Sequence, residues 1–272
     1  MSASILFAAP QRLPASISRT LTGLVLPVGL LVLWHYASAR AWLPPQILPS
    51  PGAVWESGVE LWRTGELQGH IAISLLRVVE GFAAGSVLGL TLGAAMGLSR
   101  VAEDYTRPLF TAIAQIPSLG WIPFLMMIFG IGETLKIIVI AKAAFVPMTL
   151  NTFSGIRGIP PDLVEVAHAL RFTRWQLLRR LMLPGAVAPI FTGIRYGLTH
   201  AWLALVAVEL LASSEGLGYL LVYGRQMFWL DTVIMAMAVI GVIGFVLDKG
   251  LELIERRLQR WKLTQAQAWG AP

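Results

Sequence analysis

Cysteine is missing altogether, and charge is scarce. With no cysteine among the 272 residues, structural disulfides and thiolate-ligated metal or haem are excluded. Charged residues make up only 13%, where a soluble domain carries about 25%. The histidines at 35, 70, 168 and 200 fit no HExxH or paired-ligand spacing, so no metal site is expected. No GxxxxGK[ST] loop is present to cradle nucleotide phosphates. The nearest approach, Gly130-Ile-Gly132-Glu-Thr-Leu-Lys136, lacks both the spacing and the hydroxyl residue. No Ser/His/Asp set suggests itself either. The chain reads as a non-enzyme that binds no cofactor of its own.

What is plentiful is apolar. Hydrophobic residues reach 56% and mean hydropathy is +0.69. Runs at roughly 21–39, 72–98, 108–130, 134–155, 187–212 and 231–253 approach or exceed the ~20 residues that cross a bilayer as a helix. The expected fold is all-α and polytopic, with about six spans. An N-terminal segment (1–20), one transmembrane domain (21–255) and a tail (256–272) complete the division. The pI near 10.1 does not point to nucleic acid, because the basic residues sit between the spans. If the N-terminus is cytoplasmic, the inside segments hold Arg12, Arg19, Arg100, Arg107, Arg157 and Arg171, with Arg174, Arg179, Arg180 and a basic C-terminal group. The outside segments hold only Arg40, Arg63 and Arg225. The positive-inside rule then places both termini in the cytoplasm.

The most distinctive stretch is the polar interruption at 156–185, which carries two successive helix signals. Pro160-Pro161-Asp162 opens a short helix, proline fitting the first turn and the acid its positive end. Thr173-Arg-Trp-Gln176 is a capping box for a second helix, which Pro184 is expected to end. Two short helices at a membrane surface suit docking to a soluble cytoplasmic partner.

Ionisable groups inside spans are costly, about 2.5–3.5 kcal/mol each on insertion scales, so each needs a partner or a wet cavity. Arg77 and Glu80 stand three residues apart and can pair. Arg195 and Glu209 bracket the fifth span. Lys142 lies mid-span with no acid three or four positions away. It can snorkel, pair across helices or line a cavity, and the last suits an anion. His200 is read first as bonded to a neighbouring helix, with a pathway role as the alternative. Gly81, Gly85, Gly89, Gly93 and Gly97 recur every four residues. They imply close packing within the chain, or else an interface between two copies or a pathway wall. Pro117, Gly120 and Pro123 interrupt the third span. Outside, AVWESGVELW is expected to be an amphipathic surface helix, and 213–230 an outward loop.

The spacing Glu165-Val166-Ala167, three residues, Arg171, nine residues, Leu181-Met182-Leu183-Pro184 resembles the EAA-x3-G-x9-I-x-LP signature of ABC importer permeases. Further blocks, SLLRVVEGFAAGSVLG (74–89), IPSLGWIP (116–123) and ELLASSEGLGYLL (209–221) among them, resemble the nitrate/sulfonate/taurine branch. The resemblance implies a coupling loop made of Asp162, Glu165, Ala167, Arg171, Thr173, Gln176, Leu183 and Pro184. Glu165 matches the acid that pairs with a basic group of the ATPase subunit. It implies a second copy of the chain, two cytoplasmic ATPase subunits using ATP and Mg, and a periplasmic or lipoprotein substrate-binding protein. The 213–230 segment is a candidate surface for that binding protein. Arg77, Glu80, Lys142, Arg195, His200 and Glu209 become candidates for the translocation path. Sulfonates or taurine are the first choice of substrate, with nitrate or a pyrimidine precursor next. An ion-coupled secondary transporter is the alternative from another class. Arg171 replaces the signature glycine, so either it accepts a left-handed backbone or the turn is built differently.

Overall fold

A computed structural model describes residues 15–258, and no strand occurs among them. Parts of the expected N-terminal segment and C-terminal tail, 1–14 and 259–272, lie outside the described residues. The helices are α1 (Ala15–Ala39), α2 (Pro51–Thr64), α3 (Glu66–Leu98), α4 (Arg100–Gln115), α5 (Ile122–Phe129) and α6 (Glu133–Arg157). They continue as α7 (Pro161–Ala169), α8 (Arg174–Leu177), α9 (Leu183–Ala212), α10 (Leu217–Gln226) and α11 (Leu230–Leu258).

The centre is α6, clasped between α3 and α9. Every glycine of the α3 stripe is buried against α6. A methyl on Gly93 would stand 2.6 Å from the Thr149 carbonyl oxygen, and one on Gly85 would overlap the Ala141 carbonyl. Backbone therefore lies on backbone, which only glycine permits. The contact order, Gly81 on Ile140, Gly89 on Phe145 and Gly97 on Ile156, makes the two helices parallel. On the other side Gly155 meets Pro189 and Asn151 meets Gly193, so α9 runs antiparallel to α6. The stripe is thus spent within the chain, which settles it against an interface between copies or a pathway wall.

Among the described residues, four helices are long and apolar enough to cross a membrane: Glu66–Leu98, Glu133–Arg157, Arg174–Ala212 and Leu230–Arg257. A fifth follows if the bent pair Arg100–Gln115 and Ser118–Phe129 counts as one crossing. The apolar stretch Val25–Ala39 lies within α1, in the first expected run. Two expectations are corrected. The run 108–130 is no straight span but turns by 92°. Pro117 lacks an N–H and disfavours a helical residue before it, so α4 stops, and a 3-10 turn (Ser118–Trp121) restarts the chain. Second, Pro184 does not end α8. A π-turn at Leu178–Met182 intervenes, with the Leu183 N–H donating to the Leu178 carbonyl. That wider turn removes the regular spacing that proline would clash with, and the rod continues from Arg174 to Ala212.

The outer segment forms α2 as expected. Ser50 Oγ accepts from Ala53 N at 3.1 Å, and Gly65 with φ 85° closes the helix. It rests on α11, where Ser57 and Thr232 hydroxyls meet at 3.0 Å. The 213–230 stretch is not simply a loop, since α10 occupies most of it.

Candidate functional site

The two-helix element between α6 and α9 is built by local bonds. Pro161 starts α7 and Asp162 sits exposed in its first turn. At its end Arg171 N donates to His168 O (2.9 Å) and Phe172 N to Ala167 O (3.0 Å), the paired bonds of a Schellman cap. Arg171 has φ 55° there, so it does adopt the left-handed backbone that glycine would hold freely. The capping box forms in full. Gln176 N donates to Thr173 Oγ1 at 3.3 Å, and Thr173 N donates to Gln176 Oε1 at 2.9 Å. Ala167 faces inward and is buried, whereas Glu165, Leu183 and Pro184 are exposed. Leu163, Val166, Leu170 and Trp175 are each about half exposed or more, up to 65% for Leu170. An apolar surface with an acid and a rim of arginines is therefore presented at this end of the molecule.

At the opposite end lies a buried ionic cluster. Arg77 on α3 is 2% exposed and Glu209 on α9 is 1% exposed. Arg77 Nη1 donates to Glu209 Oε1 at 2.8 Å, and Nε and Nη2 engage both oxygens of Glu133 at 2.7 Å. Nη2 also reaches Glu215 Oε1 at 3.0 Å, while Nη1 donates to the Glu215 carbonyl at 2.9 Å. Glu209 accepts in addition from Ser74 Oγ (2.8 Å) and Gly218 N (2.9 Å), so its charge is met by three groups, two on α3 and one on α10. Lys136 adds a further bond to Glu133 at 2.7 Å. Gly216 N donates to His70 Nδ1 at 3.0 Å and Leu217 N to Ser74 Oγ at 2.9 Å. The cluster thus ties the 213–218 turn to α3, α6 and α9. Gly216, with φ 105°, is required there, because any side chain would collide with the Glu209 carboxylate.

This geometry corrects the expected Arg77–Glu80 pair: Glu80 is exposed and is not among the partners of Arg77. Arg195 lies away from this cluster. It grips Asp248 of α11 through two bonds, 2.9 and 3.1 Å, with Glu255 at 3.4 Å. His200 is exposed, with Nδ1 2.9 Å from the Tyr196 carbonyl of its own helix rather than bonded to a neighbour. Lys142 donates from Nζ to the carbonyl of Ile116, the residue at the break in the third span. Glu133, Glu215, Ser74 and His70 were missed in the sequence. Their signal was the serine- and glycine-bearing Ser213-Ser-Glu-Gly-Leu-Gly218 turn with its one acid, which offers backbone N–H groups with no obvious acceptor. Among the described residues no cluster of His, Asp and Glu is arranged to hold a metal ion.

A family profile described as binding-protein-dependent transport system inner membrane component matches residues 85–260. The putative aliphatic sulfonates transport permease protein SsuC of Bacillus subtilis is 37% identical over 240 residues, covering 88% of this chain and 87% of the relative. The taurine transport system permease protein TauC of Escherichia coli is 34% identical, covering 92% of each. The bicarbonate transport system permease protein CmpB of Synechococcus elongatus is 32% identical, covering 89% and 91%. Among solved structures, an amino acid ABC transporter with histidines superposes with a TM-score of 0.59 at 18% identity, over 73% of this chain and 97% of that one. The methionine ABC transporter MetNI, in an inward-facing form, gives 0.53 at 18% identity, over 79% and 99%. The structural likeness is one of fold, and the sequence match carries the assignment: the chain belongs to the binding-protein-dependent transport system inner membrane component family, as an ABC importer permease.

Proposed function

We infer that this permease imports a small anion, an aliphatic sulfonate or taurine first, and that it works as two copies with two ATPase subunits and a substrate-binding protein. The single observation that carries the coupling part is the α7–α8 pair. It is closed at its inner turn by the Arg171 and Phe172 bonds and the Thr173–Gln176 box, and leaves Glu165 and an apolar patch uncovered at one end of the molecule. The relatives with sulfonate and taurine in their names support the substrate class.

The mechanism follows from continuity. Because α8 runs through the π-turn into α9, a displacement at Arg174 acts on a single rod reaching Ala212. At ~1.5 Å rise per residue that rod is roughly 58 Å long. Its far end carries Glu209, which holds the 213–218 turn through Ser74, Arg77 and Gly218. Closure of the ATPase dimer on α7–α8 would thereby bias the distant end between two arrangements, with ATP supplying the energy. The arginine bias supports placing α7–α8, and both termini, in the cytoplasm of a bacterial inner membrane, with α2 and α10 outside.

A second reading, a small inorganic oxyanion such as bicarbonate or nitrate, is favoured by the bicarbonate relative. The test is uptake of labelled ethanesulfonate, taurine, bicarbonate and nitrate in cells lacking the chain, complemented by wild type or Glu165→Ala. Sulfonate uptake restored by wild type and reduced about tenfold or more by Glu165→Ala, with membrane insertion unchanged, is expected for loss of one charge-assisted contact. Equal restoration by both would discard the coupling role of Glu165. Uptake of the inorganic anions alone would replace the substrate.

A further inference from the structure

Of the ionisable residues within spans, most are already committed. Arg77 is taken up by Glu133, Glu209 and Glu215 in the buried cluster, and Arg195 is held by Asp248 and Glu255. Lys142 stands apart, because its ammonium meets no carboxylate among the described residues. It is half-buried, between Val139, which packs with Ile122 and Leu125 of α5, and Phe145, whose ring meets Phe110 of α4 at 5.7 Å. Lys142 therefore lies level with the break between α4 and α5. The carbonyl it caps, that of Ile116, is one that the broken helix cannot satisfy itself, and the negative end of α4 favours a cation there.

One carbonyl uses one of three ammonium donors. A second donor lies in the same layer. Trp121, at the end of the 3-10 turn, packs on the Ile122–Val139–Ala143 cluster with its indole Nε1 buried and without an acceptor among the described residues. A cation with spare donors and an unpartnered indole N–H, both beside a 92° break in an apolar span, are donors of the kind an oxyanion takes.

Resting on the importer reading above, we propose that Lys142 is the residue that contacts the anion in transit. In the unloaded chain its ammonium caps the Ile116 carbonyl. A passing sulfonate takes up its remaining donors, so that occupancy of the path is felt at the break between α4 and α5.

The absence of native cysteine makes the test direct, since Lys142→Cys creates the chain's one thiol. The whole importer, with cysteine-free partner subunits, is reconstituted in liposomes and ATP-driven uptake of labelled ethanesulfonate is measured. Lys142→Cys is expected to lose about tenfold or more of the uptake, the scale of a lost charge-assisted bond. Aminoethyl methanethiosulfonate, which forms a disulfide with the new thiol, releases methanesulfinate and sets an ammonium one atom beyond lysine's, should restore most of it; methyl methanethiosulfonate should not. Equal uptake by wild type and Lys142→Cys, or equal recovery with both reagents, would overturn the proposal and leave the importer reading standing. No ATP-driven uptake by wild type would remove that reading and this proposal together. Should Lys142→Cys fail to assemble with the ATPase subunits, Lys142→Arg and Lys142→Gln decide. Both can donate to Ile116, but only arginine keeps the charge. Uptake kept by arginine and lost by glutamine supports the contact, and equal uptake overturns it.

Discussion

Arg171 shows how a single residue can depart from its local preference and still serve the fold. With φ 55° it closes α7 by bonds to Ala167 and His168, in a conformation that costs a non-glycine residue about 1–2 kcal/mol. The neighbouring capping box at Thr173 and Gln176 holds the turn from its other side, which is why the strain persists. Arg171→Gly is therefore expected to stabilise the loop by about 1 kcal/mol, less glycine's extra unfolded-state entropy. The check is a thermal midpoint of the purified protein at or above that of wild type, with uptake retained. A lower midpoint would mean that the arginine side chain contributes more than its backbone costs. Arg77 presents the opposite case. Its burial is severe, yet bonds to Glu133, Glu209 and Glu215 meet its charge, and removing Arg77 would leave the buried Glu209 carboxylate without its cation.

Among the elements, the α3–α6 contact governs the architecture. Its glycines bring the two backbones together over the length of α3, from Gly81 to Gly97. Gly85→Leu is expected to prevent α3 from seating, because even a methyl there overlaps the Ala141 carbonyl. Overpacking costs typically about 1–3 kcal/mol, and a backbone obstacle cannot rotate away as a side chain can. Gly69 on the same helix is the control, with nothing within 4 Å of an added Cβ. Gly69→Ala should raise stability by about 0.5–1 kcal/mol. Comparing folded yield and thermal midpoint of the two variants checks the argument. A Gly85→Leu protein with a wild-type midpoint would contradict it.

For the whole molecule, the two ends have different work. One carries the bare apolar patch of α7 and α8, and the other the ionic cluster that holds the 213–218 turn, with the α8–α9 rod joining them. A path for solute needs walls on all sides, and α6, α3 and α9 spend their facing sides on one another. The purified complex is accordingly expected to hold two copies of this chain, giving a mass by light scattering of twice 29.6 kDa for the permease part. A complex with one copy would require another subunit to complete the path.

The sequence by itself determined what depends on near neighbours or on composition. Apolar length marks the spans, the Pro161 opening and the Thr173–Gln176 box mark α7 and α8, and the four-residue glycine period marks a close-packed face. These are local preferences, strong enough to be read without knowing the rest of the chain. Only the tertiary structure decided the partners of Arg77. They lie 56, 132 and 138 positions away, whereas Glu80, the acid within reach on the same helix, points elsewhere. It likewise decided that Lys142 caps the carbonyl of Ile116, that the run 108–130 bends, and that Pro184 is passed by a π-turn rather than ending a helix. In each case several local solutions are close in energy, and contacts made by distant segments select one of them.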